Sequence, residues 1–289
     1  MTTYRACLRA AEAELEQAQC GEQAALMLML ELSEMEAHNL YMEYEEEMPD
    51  SLYQRFQEGI RRLKQNEPLG HIIGHEWFYG YQFKVSGDVL IPRPETEELV
   101  ANVLAEYDTY FADQSDEIFV ADVGTGSGAI AIALQKEEPR FHVLATDISK
   151  EAVDVAYDNA MRLGANVQFV IGDMLEPLIE RNMKFDILVS NPPYIPQDEA
   201  LEESVKDYEP HLALFGGEDG LKFYREIFAK AKKVMKERSF MAFEMGWNQK
   251  EAMLALVKEY LPDARAEVLK DMSGKDRMLF VYFGLERVF

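Results

Sequence analysis

The stretch Ile118-Phe119-Val120-Ala121-Asp122-Val123-Gly124-Thr125-Gly126-Ser127-Gly128 decides the fold. Its first six residues make a near-continuous apolar run of strand length, the pattern of a strand buried on both faces. Three glycines end the run, and an Ala/Ile/Leu segment of helical character follows at once. Strand, glycine loop and helix in that order open a doubly wound sheet, whose ligands lie across the carboxyl ends of the strands. Working outward, the same rhythm repeats. Strands are expected near 118–123, 141–146, 167–171, 185–190 and 239–245, and helices near 128–136, 150–163 and 219–236. Two further strands, near 266–270 and 277–283, are joined by a turn at Gly274 and form an antiparallel pair at one edge. The fold class is therefore α/β, a seven-stranded doubly wound (Rossmann-like) domain.

Upstream, the pattern changes twice. Over residues 1–65 apolar side chains recur at helical spacing: Tyr4, Leu8, Ala11 and Leu15, a Met/Leu-rich segment, then Leu52, Phe56, Ile60 and Leu63. This predicts a small helical bundle, with Asp50 and Ser51 after Pro49 as caps of its last helix. Residues 66–94 carry Gly70, Gly74, Gly80 and Gly87 around the aromatic run Trp77 to Phe83, which reads as a connecting hairpin. Helical period resumes after Pro92-Arg93-Pro94-Glu95-Thr96-Glu97 with Leu99, Val100, Val103 and Leu104, so the large domain is expected over 95–289.

The chain has 289 residues and a formal charge of -24, which repels phosphate backbones and disfavours direct nucleic-acid binding. Its two cysteines, Cys7 and Cys20, form no Cys-x-x-Cys or Cys/His cluster, so no metal site is expected and a reducing compartment fits best. The longest apolar run, Ala24 to Leu30, is far short of a membrane span, and the N-terminus lacks the basic start of a signal peptide. These features point to a cytoplasmic protein without a membrane partner, expected to act as a monomer. The acidic stretch Glu43 to Glu47 reads as a solvated helix face, with docking to a basic partner as the alternative.

Gly124, Thr125, Gly126, Ser127 and Gly128 let the backbone turn sharply and approach a ligand. The same letters satisfy Gly-x-Gly-x-x-Ala, so a nicotinamide or flavin nucleotide competes with S-adenosyl-L-methionine for the loop. Asp147, at the end of the second strand, suits ribose hydroxyls in either case, and also suits a helix cap. Asp122 favours S-adenosylmethionine, because a carboxylate ahead of the loop would face a sulfonium and an ammonium group. Asp173 and Met174, after the third strand, offer an acceptor and an apolar neighbour for an adenine ring, although a plain loop reads almost as well.

The fourth strand, Phe185 to Ser190, ends in Asn191-Pro192-Pro193-Tyr194. Two prolines stop a buried strand and donate nothing to a sheet, leaving a rigid, acceptor-rich loop. The amide oxygen of Asn191 and the carbonyl of Pro192 suit the two N–H bonds of an amide or exocyclic NH2 group, and Tyr194 offers a face for stacking. Asn191, Pro192 and Tyr194 are thus the catalytic candidates, with Pro193 completing the acceptor site and Asn191 also bordering the cofactor. Such a nitrogen is conjugated and poorly nucleophilic, so catalysis would rest on positioning and electrostatics.

Taken together, the residues resemble the HemK/PrmC family of methyltransferases, which modify the glutamine of the Gly-Gly-Gln motif in peptide chain release factors. The likeness spans nearly the whole chain. It rests on Pro68 to Gly74, Leu90 to Glu97, Gly124 to Gly128, Asn191 to Pro196, Glu209-Pro210, Ala213 to Gly217 and Asp219-Gly220-Leu221. The resemblance implies that the helical domain recognises the release factor, that the connecting segment borders the active site, that Asp147 holds the ribose and that Met174 packs beside the adenine. It also implies that Asn191 and Pro192 bind the glutamine amide. His71 departs from the tyrosine of the family pattern. The glycine loop and the tetrapeptide also occur in enzymes acting on adenine N6 or guanine N2, so a nucleic-acid amino-methyltransferase is the alternative. A noncatalytic protein-binding module that keeps the cofactor fold is a third reading, disfavoured by the intact motifs.

Overall fold

The computed structural model describes residues 2–21, 23–111, 117–201 and 203–286. Five helices lead the chain: α1 (Tyr4–Ala18), α2 (Gln23–Ser33), α3 (Ala37–Met42), α4 (Asp50–Leu63) and α5 (Leu69–Ile73). There follow β1 (His75–Phe78), β2 (Tyr81–Lys84), α6 (Pro94–Tyr110), β3 (Ile118–Val123), α7 (Ala129–Glu137), β4 (Phe141–Asp147), α8 (Lys150–Leu163), β5 (Val167–Ile171), α9 (Glu176–Glu180) and β6 (Phe185–Ser190). The chain closes with α10 (Glu203–Tyr208), α11 (Lys222–Val234), β7 (Met235–Glu244), α12 (Lys250–Tyr260), β8 (Arg265–Lys270) and β9 (Asp276–Phe283).

These elements divide into two compact units, one of residues 1–75 with 201–208 and one of residues 76–200 with 209–289. In the first, the helical spacing read from sequence is the spacing of burial: Tyr4, Leu8, Ala11 and Leu15 of α1 pack with Leu28 and Met29 of α2 and Phe56, Ile60 and Leu63 of α4. Gly59 sits against Leu28, where a Cβ would stand 2.5 Å from a Leu28 methyl, so α2 and α4 approach closely. The cap of α4 differs from expectation. Pro49 occupies the N-cap position and Asp50 is already helical, with no side chain closing the first turn. The helical unit also runs past residue 65, because α5 packs on α2 and α4. Glu43, Glu45, Glu46 and Glu47 are exposed.

The second unit holds, among the described residues, a seven-stranded sheet in the order β5-β4-β3-β6-β7-β9-β8. Pairs from β5 through β7 are parallel, and β9 runs antiparallel to both β7 and β8. The reversed strand therefore lies inside the sheet, and β8 forms the edge. Alternation along the strands sorts the core into two layers. Ile118, Val120, Ile187, Val189, Phe240 and Ala242 meet α6 and α7 on one face, while Ala121, Val123, Leu188, Met241 and Phe243 meet α11 and α12 on the other. β3 is flanked by β4 on one side and β6 on the other, so successive connections leave it in opposite directions. That reversal opens a crevice at the carboxyl ends of β3 and β6, the place where such sheets bind ligands.

Candidate active site

The loop after β3 is folded by the neighbouring strand. Gly124 and Thr125 both donate their backbone N–H to the Thr146 carbonyl, at 2.8 and 2.9 Å. Gly124, Gly126 and Gly128 all have positive φ, 76°, 54° and 83°. The three do different work. A Cβ on Gly124 or Gly126 would meet nothing within 4 Å, so these residues present bare backbone to open space. A Cβ on Gly128 would press on Ile132 and Ala156 at 3.0 and 3.1 Å, so this glycine lets α7 and α8 pack and does not line the crevice.

A cavity of about 280 Å³ fills the crevice. Gly124, Thr125, Gly126 and Ser127 form its floor, Asp147, Ile148 and Ser149 one wall, and Gly172, Asp173 and Met174 the next. Asn191 and Pro193 enter from the end of β6, and Leu90, Arg93 and Thr96 from the segment leading into α6. Asp147 accepts from Gly126 N and Ser149 N, both at 2.9 Å, so one carboxylate ties the glycine loop to the start of α8. The helix cap is a different residue: Ser149 Oγ accepts from Ala152 N. Burial raises the Asp147 carboxyl above its ordinary range, offset by these backbone donors. Bare glycine backbone, the half-buried acceptor Asp147 and the apolar side chains of Leu90, Ile148 and Met174 fit an adenosine-bearing cofactor.

Besides Gly128, three expected site residues stand behind the cavity wall. Asp122 is fully buried; its Oδ2 accepts from Thr125 Oγ1 at 2.6 Å, and burial pushes its carboxyl up to about 7. It braces the loop from below, because the pleat of β3 turns it toward the α7 layer. Pro192 is buried and Tyr194 is turned away from the cavity. The Tyr194 ring packs against the apolar layer beneath α11, and its hydroxyl donates to Glu244 Oε1 at 3.2 Å. Burial, and then the Glu244 charge, raise the Tyr194 phenol. Stacking on Tyr194 is thus replaced by anchoring through it.

Several residues that sequence reasoning passed over hold this arrangement. Ser190 Oγ donates to the Val123 carbonyl at 2.6 Å, clamping the ends of β6 and β3 together. Asn159 of α8 is fully buried; it accepts from Lys84 N and donates to Lys84 O and Ser127 O, joining the β1–β2 hairpin to the glycine loop. Gln249 donates to the Tyr194 carbonyl at 3.0 Å. Thr96 donates to Glu244 Oε2 at 2.6 Å and accepts from Asn191 Nδ2 at 3.2 Å. Glu244 is buried, which raises its carboxyl, opposed by the Thr96 hydroxyl and the Arg277 charge. Arg93 pairs with Glu209, itself almost wholly buried, and so ties the segment before α6 to the loop that carries Pro210 and Leu212 into the cavity. Only Thr96, Arg93 and Glu209 stood in motifs that the sequence had singled out.

Comparison with known proteins agrees with this architecture. A family model of the PrmC N-terminal domain matches residues 6–74, and one of the methyltransferase small domain matches residues 108–216. The chain is 45% identical over 281 residues to a release factor glutamine methyltransferase of Bacillus subtilis (strain 168), covering 96% of this chain and 97% of that one. It is 42% identical over 282 residues to the protein of the same name from Bacillus anthracis, covering 97% and 99%. Among solved structures, the hMettl16 catalytic domain in complex with MAT2A 3'UTR hairpin 6 superposes with a TM-score of 0.53 at 16% identity, covering 83% of this chain and 84% of that chain, a likeness of fold alone.

Proposed function

The chain belongs to the release factor glutamine methyltransferase family, and on that premise we propose that it transfers a methyl group from S-adenosylmethionine to the side-chain amide nitrogen, N5, of the glutamine in the Gly-Gly-Gln motif of peptide chain release factors. The observation that supports this most is the sharing of one cavity by the glycine loop, Asp147 and Asn191. When bound, the cofactor supplies a methyl group activated by its sulfonium centre. Asp147 would accept from the ribose hydroxyls, Met174 and Ile148 would pack on the adenine, and Asp173 would accept from its amino group. Gly124 and Gly126 give the cofactor room to lie against backbone.

The acceptor nitrogen would be held by Asn191 Oδ1, from a residue that lines the cavity, and by the main-chain carbonyl of Pro192, whose ring is buried behind it, each taking one N–H. Two acceptors on one NH2 would favour the positive charge that develops on nitrogen as its lone pair reaches the methyl carbon, a transfer that balances with S-adenosylhomocysteine as the leaving group and one N–H proton given up by the acceptor nitrogen. They also fix the direction of that lone pair, which converts a diffuse encounter into an aligned one. Tyr194, held by Glu244 and Gln249, keeps the tetrapeptide rigid. The helical unit is assigned release-factor recognition, and the exposed Glu43, Glu45, Glu46 and Glu47 suit a basic face on that partner. This reading places the protein in translation termination, as a cytoplasmic monomer. Among the described residues, no helix is long and apolar enough to cross a membrane.

The test is incubation of the protein with S-adenosylmethionine and a purified release factor, followed by mass analysis of the Gly-Gly-Gln peptide. A gain of one methylene on glutamine is expected. An unchanged peptide rejects the proposal, and label transferred instead to RNA or DNA moves the acceptor to an exocyclic base nitrogen.

A further inference from the structure

We infer that Thr96, oriented by Glu244, sets the amide of Asn191 with its oxygen toward the substrate and thereby makes the site select a side-chain amide over a carboxylate. The inference rests on the proposed glutamine acceptor and deepens it. In its charged form, which the two hydroxyls and the Arg277 charge favour against burial, Glu244 accepts only, and it receives Thr96 Oγ1 on Oε2 at 2.6 Å and Tyr194 Oη on Oε1 at 3.2 Å. A threonine hydroxyl has a single hydrogen. With that hydrogen committed to Glu244, Thr96 has only lone pairs left for Asn191, 3.2 Å away.

Asn191 must therefore turn Nδ2 toward Thr96, which leaves Oδ1 for the ligand. The opposite rotamer would set two acceptors, Oδ1 and Oγ1, against each other in a half-buried setting, and an unmatched polar pair out of water is costly. Thr96 and Asn191 both line the cavity, whereas Glu244 is buried behind them. Orientation is thus imposed from beneath the site by a group that never meets the substrate. An inward-facing Oδ1 accepts from an NH2 group and repels a carboxylate; an inward-facing Nδ2 would do the reverse. Thr96 is a positioning residue, 95 positions from the side chain it turns.

The experiment compares wild type, Thr96→Val and Thr96→Ser, using a release factor and its Gly-Gly-Glu counterpart. Valine keeps the shape and removes the hydroxyl, while serine retains it. For Thr96→Val, kcat is expected to fall about tenfold, the worth of one hydrogen bond, with the cofactor KM little changed. The ratio of dissociation constants for the Glu and Gln forms is expected to fall by a similar factor, and Thr96→Ser to restore both. A valine variant with unaltered selectivity overturns the inference, as does equal damage from serine and valine. If the wild type methylates no release factor, the functional reading fails instead. The orientation is then read separately, from hydrogen exchange of the Asn191 side-chain amide in wild-type protein: a protected Nδ2 proton upholds it, and free exchange of both protons refutes it.

Discussion

Replacing Gly220 by alanine tests how firmly the acceptor loop is held from outside. Gly220 has φ of 73°, a left-handed conformation that costs a residue with a Cβ about 1–2 kcal/mol. A Cβ there would also overlap the Tyr194 carbonyl oxygen and stand 2.7 Å from Gln249 Nε2. Those two atoms are hydrogen-bonded to each other at 3.0 Å, so the methyl group wedges a half-buried hydrogen bond apart. Leaving both partners unmatched adds about 1–3 kcal/mol. The sum is roughly 2–5 kcal/mol, which for a unit of this size lowers the melting temperature by about 2–4 °C per kcal/mol.

Gly274→Ala supplies the control. Its φ is 79° but a Cβ meets nothing within 4 Å, so it carries the backbone strain without the collision. Thermal unfolding and single-turnover methyl transfer would be measured for both variants. Gly274→Ala is expected to lose about 1–2 kcal/mol and keep its transfer rate. Gly220→Ala is expected to lose more and to slow transfer, because relief of the overlap moves Tyr194 and with it Asn191. Equal stability losses with equal rates would refute the idea that this glycine supports the tetrapeptide.

Asn191→Ala removes an acceptor aimed at the reacting nitrogen; cofactor affinity should survive in calorimetry while the transfer rate drops by about 10²–10³, the loss typical of one preorganised partner. Asp147→Ala deletes the acceptor shared by Gly126 N and Ser149 N, and calorimetry should show S-adenosylmethionine binding weakened roughly 10- to 100-fold, as for a hydrogen bond to a charged group. Asp122 titrates near 7 in the fold against 3.8 for the free side chain, so the folded state holds its proton more tightly. Its stabilisation is complete below the free value and lost as pH rises through about 7. Asp122→Asn should therefore gain stability over wild type between pH 5 and 8 in urea titrations, and a constant difference across that range would dispose of the assignment.

How much of this was legible in the sequence depends on the range of each interaction. Strand and helix order followed from local patterning, and so did the meeting of Gly124 with Asn191, because both terminate parallel strands of one sheet and parallel strands share a carboxyl edge. The direction in which a residue points on a strand buried on both faces was not legible, since such strands are apolar on either side and carry no alternation. That is why the sequence leaves Asp122 free to face the ligand, whereas the antiparallel pair β8–β9, marked by its own turn at Gly274, stands at one edge of the sheet as expected. Tyr194 misled differently: two prolines fix the backbone ahead of it, yet its ring follows the apolar layer beneath it and the carboxylate of Glu244.

The remaining gap is made of polar pairs far apart in the chain. Thr96 meets Glu244 across 148 residues and Asn159 meets Lys84 across 75. Neither pair leaves a local signature, yet the first reaches the crevice through Thr96 and the second through the bond from Asn159 to the Ser127 carbonyl. Burying a carboxylate costs several kcal/mol unless it is well matched, and Asp122, Asp147 and Glu244 are all raised by burial at this one place. A sheet needing only to fold would fill those positions with apolar side chains, as most of its other core positions do. What each acid has in common is its partner: Thr125, Gly126 and Thr96 all line the cavity. The buried charges hold donors still at the ligand's edge, and the exposed acids that dominate the composition play no part in that.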